Sequence, residues 1–194
     1  MLLMVRVSDS YLKEHYSLQT EALNAFLKTW SGQLIVYDKK DLWDGGYICP
    51  ALNKNKSKSE FLEDHKVMSA FLYDFFEMHS VKNAVIIPLN KCGYCTDKNK
   101  LRFIDTDFFN SKNFDIGKRY AVKINVNDER DTLDALIRSA YNYLIEFAIV
   151  SDETDCIIIP SHHFDYHFVN YYNYSQSISD LIKVKYKNLC IDRC

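Results

Sequence analysis

"SAYNYLIEFAIVSDETDCIIIP" (139–160) decides the fold class. Apolar residues at helical spacing run into a polar turn, and a short continuous apolar run, Cys156–Ile159, then ends at Pro160. The same order of helix, polar turn, apolar strand and proline occurs in "SAFLYDFFEMHSVKNAVIIP" (69–88). Two helix–strand units feeding one sheet predict an α+β protein. The expected sheet is mixed or mostly antiparallel, packed against three to four helices, in a single domain over residues 1–194.

Working outward, three amphipathic helices are expected. Over 18–30, Leu18, Ala22, Leu23, Phe26, Leu27 and Trp30 recur at helical spacing, with Gly32 placed to end the helix. Over 58–79, Ser57 and Glu60 have capping-box spacing ahead of a stripe of Phe61, Met68, Phe71, Leu72, Phe75 and Phe76. The third, over 129–148, places Leu133, Leu136, Ile137, Ala140, Tyr141, Leu144, Ile145 and Ala148 on one face. Acidic residues at its start suit the positive end of the helix dipole. Such stripes read as core.

Strands are expected at Leu34–Tyr37 and Tyr47–Ala51, around "DKKDLWDGG" (38–46), whose Asp-Gly step is a hairpin signal. Ala84–Leu89 and Leu101–Asp105 flank a cysteine-containing loop. Tyr120, Val122, Ile124 and Val126 alternate with polar residues, as do Phe164, Tyr166 and Phe168. The tail "LIKVKYKNLCIDRC" carries both helical and strand features.

Composition narrows the class. The chain has 194 residues, 47% hydrophobic and 14% aromatic, with only 5 Gly and 3 Pro, which supports one packed core without linkers. A net charge of −2 is no counterion for nucleic acid, so no nucleic-acid partner is expected. The opening "MLLMVRVSDS" meets Arg6 too soon for a secretory signal, and no window approaches the roughly 18 uncharged apolar residues of a membrane span. A cytoplasmic protein with free thiols and no membrane partner is the expectation.

The loop "KCGYCTDKNK" (91–100) holds Cys92 and Cys95. A redox pair needs one thiolate stabilised by a helix N-terminus and a second thiol that resolves the mixed disulfide. An apolar strand and short loop ahead of the pair are similar to the thioredoxin superfamily. However, "TDKNKLRFID" (96–105) lacks the apolar period of the helix that should follow. Zinc would need two further ligands, for which Cys190 and Cys194 in "CIDRC" are the candidates. The favoured reading is a polar hairpin loop in which Cys92 and Cys95 are dispensable, and no cofactor is expected.

In "SHHFDYHF" (161–168), a strand that buries Phe164, Tyr166 and Phe168 turns His163, Asp165 and His167 to the other face. That face can offer imidazole and carboxylate ligands to a metal, form a binding patch, or simply be solvated. Upstream, "SDETD" (151–155) collects Asp152, Glu153 and Asp155 in a turn. Together these six residues form the candidate partner-binding patch, whose charge would speed encounter with a basic partner. No phosphate-binding glycine loop, GxSxG elbow or HExxH is present, and no catalytic residue is nominated.

The stretch "ALIRSAYNYLIEFAIVSDETDCIIIPSHHFDYHFV" (135–169) resembles small bacterial immunity proteins of contact-dependent and polymorphic toxin systems. In those proteins a helix leads into a strand, a Ser-Asp turn and further strands. The resemblance implies a cytoplasmic, non-enzymatic protein that binds one cognate toxin, of which a nuclease is the commonest type, and occludes its active site. A thiol-redox or zinc protein built on Cys92 and Cys95 is the alternative.

Overall fold

The computed structural model describes residues 4–38, 42–43, 46–47, 58–91, 93–95, 97–163 and 165–193. Its centre is an eight-stranded sheet in which every strand pair is antiparallel. The strands are β1 (Val5–Val7), β2 (Gln33–Asp38), β5 (Asn83–Pro88), β6 (Ala121–Asn125), β7 (Phe147–Ser151), β8 (Ile157–Ser161), β9 (Asp165–Val169) and β10 (Leu189–Arg193). Their order is β1-β6-β5-β7-β8-β9-β2-β10. A separate two-stranded ribbon pairs β3 (Leu42–Trp43) with β4 (Gly46–Tyr47). A ribbon thus flanks the Asp-Gly step, but the strand read at Leu34–Tyr37 is not part of it: β2 pairs with β9 and β10 instead. Residues 48–51 lie outside the described residues.

Six α-helices cover the sheet among the described residues: α1 (Asp9–His15), α2 (Ser17–Thr29), α3 (Lys58–Met78), α4 (Thr106–Ser111), α5 (Arg130–Tyr141) and α6 (Ser175–Val184). They form two layers. Ala84, Ile86, Phe147, Ile149, Ile158, Tyr166 and Phe168 pack with Phe71, Phe75, Leu136, Ile137 and Ile178 of α3, α5 and α6. Their neighbours Val85, Ala148, Val150, Ile157, Ile159 and Val169 point the opposite way, onto Leu12, Tyr16, Leu23 and Phe26 of the α1–α2 layer. Central strands are therefore apolar on both faces, which is why β7 and β8 read as continuous runs. No helix among the described residues is long and apolar enough to cross a membrane.

The α+β expectation holds, but the two helix–strand echoes do not match: the first gives α3 and β5, whereas the second gives α5, β7 and then β8, so β7 lies between β5 and the strand read at Cys156–Ile159. Three further local expectations do not hold. The helix read over 129–148 ends at Tyr141, and β7 takes up Phe147–Ser151. A strand buried on both faces has no period-2 signal, so its apolar residues merged with the helical stripe. The strand read at Leu101–Asp105 is instead a 3-10 helix (Lys98–Phe103) leading to α4. Asp97 and Asp105 cap these turns by accepting from the amides of Asn99 and Phe108, at 2.9 Å each.

The third correction concerns the cysteine loop. Without a strand at 101–105 it is not the turn of a hairpin, nor is it merely a surface loop. Tyr94 is fully buried, and its hydroxyl donates to Ile86 O at 3.0 Å or Tyr120 O at 2.9 Å. Cys95 is buried beside it. The tail settles as both elements read there: α6 ends at Val184, and β10 adds an edge strand against β2.

Candidate functional site

The hairpins around β8 locate the residues picked from sequence. The β7–β8 turn holds Asp152, Glu153 and Asp155 at one end of β8, and the β8–β9 turn holds His163 at the other. Five residues of extended chain separate the two turns by about 15 Å. The six residues thus do not share one patch, contrary to the expectation from alternation alone.

The acidic turn is a tie between layers. Asp152 accepts a 2.5 Å hydrogen bond from the Tyr16 hydroxyl at the start of α2 and a 2.9 Å bond from Lys123 on β6. Partial burial pushes its carboxyl up, but the Tyr16 and Lys123 bonds outweigh this and hold it below the ordinary carboxylate range. Glu153 accepts from the Lys82 amide at 3.3 Å, at the entry to β5. Asp155 uses its backbone: its carbonyl accepts from Asn170 at 3.1 Å, and its amide donates to the Tyr174 hydroxyl at 3.2 Å. Asp152 and Glu153 are thus exposed residues whose carboxylates bond inward, and Asp155 bonds inward through its backbone.

The alternation read in β9 holds for Tyr166 and Phe168, while Phe164 lies outside the described residues, but the strand's outer face is not solvated. Tyr166 and Phe168 enter the core, while Asp165 and His167 lie under α2. Asp165 is 1% exposed, and its Oδ1 lies 3.0 Å from His167 Nε2, in ion-pair range though off the line of a good hydrogen bond. His167 Nδ1 meets Gln33 Oε1, and Gln33 Nε2 donates to Trp30 O at 3.1 Å, which fixes the amide's orientation. With acceptors on both sides, the ring leaves neither nitrogen for a metal or substrate.

Beside this buried pair opens a cleft of about 200 Å³, lined by Trp30, Tyr143, Glu146, His162, His163 and His167 among others. Its rim is aromatic: Trp30 is 55% exposed and Tyr143 45%. Each stands just past a helix end in the left-handed conformation, Trp30 at φ 53 after α2 and Tyr143 at φ 57 after α5. Glycine is the residue that position favours, because a Cβ there crowds the carbonyl.

Neighbours hold both rings. Trp30 meets Phe26 edge-on at 5.0 Å. Tyr143 lies 4.3 Å from the His162 ring, and Lys100 Nζ sits 3.7 Å over its face while donating to Tyr143 O at 2.9 Å. Burial, helped by His163, pushes His162 down to about 4, so the cleft holds it neutral near pH 7. Burial raises Glu146.

Trp30, read as core on the stripe of the first helix, is exposed because the chain leaves α2 there. Tyr143, Glu146, Lys100 and Gln33 were not singled out from sequence, and Tyr143 lies in the span read as the third helix but off its apolar face. Gly32, two residues beyond Trp30, was the nearest signal.

Of the two cysteine pairs read from sequence, the described members, Cys95 and Cys190, do not converge. Cys95 is bridged to Ile145 and buried, its thiol donating to Asp97 O at 2.7 Å, and only a 3-10 helix follows it. Cys190 is on β10, paired with Tyr37 at the sheet edge. At least four strand spacings, about 19 Å, separate the two, far beyond what a shared zinc with bonds of about 2.3 Å can span. Cys92 and Cys194 lie outside the described residues. Among the described residues, no three His, Cys, Asp or Glu side chains are grouped to hold a metal.

No protein-family model, curated protein or solved structure matches the chain.

Proposed function

We propose that this is a non-enzymatic binding protein whose partner docks on the aromatic-rimmed cleft at the β8–β9 tip. The single observation that carries the reading is the pair of exposed aromatics, Trp30 and Tyr143, both held in left-handed conformations on one rim. Strained backbone at exposed aromatic residues is a hallmark of binding sites, and Trp and Tyr are the commonest interface anchors. The polar groups behind the rim are already paired, which gives it a rigid backing.

The partner suggested by the 135–169 resemblance is a cognate bacterial toxin, such as a nuclease, whose active site the protein would occlude in the cytoplasm. His163 and His167 of the original candidate patch remain part of this surface. Asp152, Glu153 and Asp155 support the fold instead.

The test is co-expression with the toxin encoded by a neighbouring gene in a bacterial host, followed by binding measurements. The wild type should restore growth. Trp30→Ala and Tyr143→Gly should fold, fail to restore growth, and each weaken binding by about 2 kcal/mol, roughly 30-fold. Unchanged affinity in both variants, or the lack of any neighbouring toxin gene, would overturn the reading.

A further inference from the structure

A second concave surface lies between α3 and α5 and shares no lining residue with the cleft. It has a volume of about 470 Å³ and is walled by His65, Lys66 and Ser69 from α3 and Arg130, Asp134 and Arg138 from α5. The spacing explains the assembly: His65 and Ser69 are four apart, as are Arg130, Asp134 and Arg138, so each set stacks on one helix face.

Most of its charge is already balanced. Lys66 pairs with Glu63 at 2.5 Å, and Asp134 accepts a 2.6 Å hydrogen bond from Ser69. Among the described residues, neither Arg130 nor Arg138 has a carboxylate within ion-pair distance; Arg130 rests 3.9 Å over the Tyr73 ring. Two guanidinium groups against the Asp134 carboxylate leave the groove positive. His65 is 4% exposed, and its Nδ1 has no hydrogen-bond partner among the described residues. That nitrogen is itself fully buried, so the His65 ring backs the groove, close enough to feel the charge of an anion held there. Burial first, then Arg138, pushes this histidine down to about 4, so near pH 7 it is a neutral ring.

We infer that the α3–α5 groove binds an oxyanion, a phosphate or carboxylate group that pairs with the Arg138 guanidinium in front of the buried His65 ring. Arg130 adds positive charge at the other end of the groove. The guanidinium fork matches either anion. A cation is disfavoured by the two arginines, and an uncharged ligand would leave both unpaired. This site is independent of toxin binding at the cleft.

The test uses the full chain and follows histidine ring resonances by NMR while inorganic phosphate or acetate is added at constant ionic strength. His65 should shift saturably, and the anion that saturates first distinguishes a phosphate from a carboxylate site. Bound anion should also move the His65 titration midpoint upward, which a purely structural histidine would not show. Arg138→Gln should weaken binding about tenfold, with Arg138→Lys losing less because the charge remains. Absence of a saturable His65 shift with both anions, or unchanged affinity in folded Arg138→Gln, overturns the inference. Should the Gln variant fail to fold, an Arg138→Lys protein that binds as tightly as wild type overturns it equally.

Discussion

The Tyr16 hydroxyl donates to Asp152 Oδ1 across 2.5 Å and 136 residues of chain. Tyr16 is buried at the start of α2, and Asp152 sits in the β7–β8 turn, so the bond fastens the N-terminal helix layer to the sheet. Tyr16→Phe should cost about 1–2 kcal/mol, the worth of a bond to a charged group reduced for partial solvent screening. Charge reversal at Asp152 should destabilise the fold as well.

The same bond sets a pH dependence. Asp152 titrates lower folded than unfolded, so its contribution is complete above the unfolded carboxyl value of about 3.9 and is lost as pH falls through the folded value. Urea unfolding midpoints of wild type and Asp152→Asn should therefore differ at pH 7 and converge in acid. A gap that stays constant with pH would mean that the carboxylate charge is not what the turn uses.

Asp165→Ala should cost about 1–3 kcal/mol, because it removes the group facing His167 Nε2 inside the fold. Asp165→Asn keeps an oxygen at that place and should cost less. Thermal unfolding of both variants checks the ranking.

Gly93 adopts φ +100, and a Cβ there would stand 2.9 Å from Ile116 O and from the Lys118 carbonyl. The obstruction is backbone on both sides and cannot swing away. Gly93→Ala should destabilise by about 1–3 kcal/mol, whereas Cys95→Ser, which keeps a donor toward Asp97 O, should stay below about 1 kcal/mol. Chemical denaturation that ranked the serine variant as the worse of the two would contradict this account of the loop.

Leu136→Ala should cost about 2–5 kcal/mol, since the side chain is fully buried under the sheet. Leu144 follows the end of α5 and only packs against the core margin, so Leu144→Ala should cost less, about 1–2 kcal/mol. Equal losses would put Leu144 back in the core with the helix.

Local order determined much of this protein. The α2, α3 and α5 stripes and the alternation of β6 and β9 were legible because side-chain period follows backbone geometry residue by residue. Net charge and the lack of a catalytic motif were equally plain. Whether a polar face meets solvent or another layer depends on what packs over it: α2 buries Asp165 and His167, and no pattern within β9 announces a helix more than a hundred residues upstream. Likewise, the separation of the two β8 turns follows from strand pairing, and Trp30 and Tyr143 share a rim because two unrelated helices end beside the same hairpin. Those placements are long-range, and only the closed tertiary structure decided them.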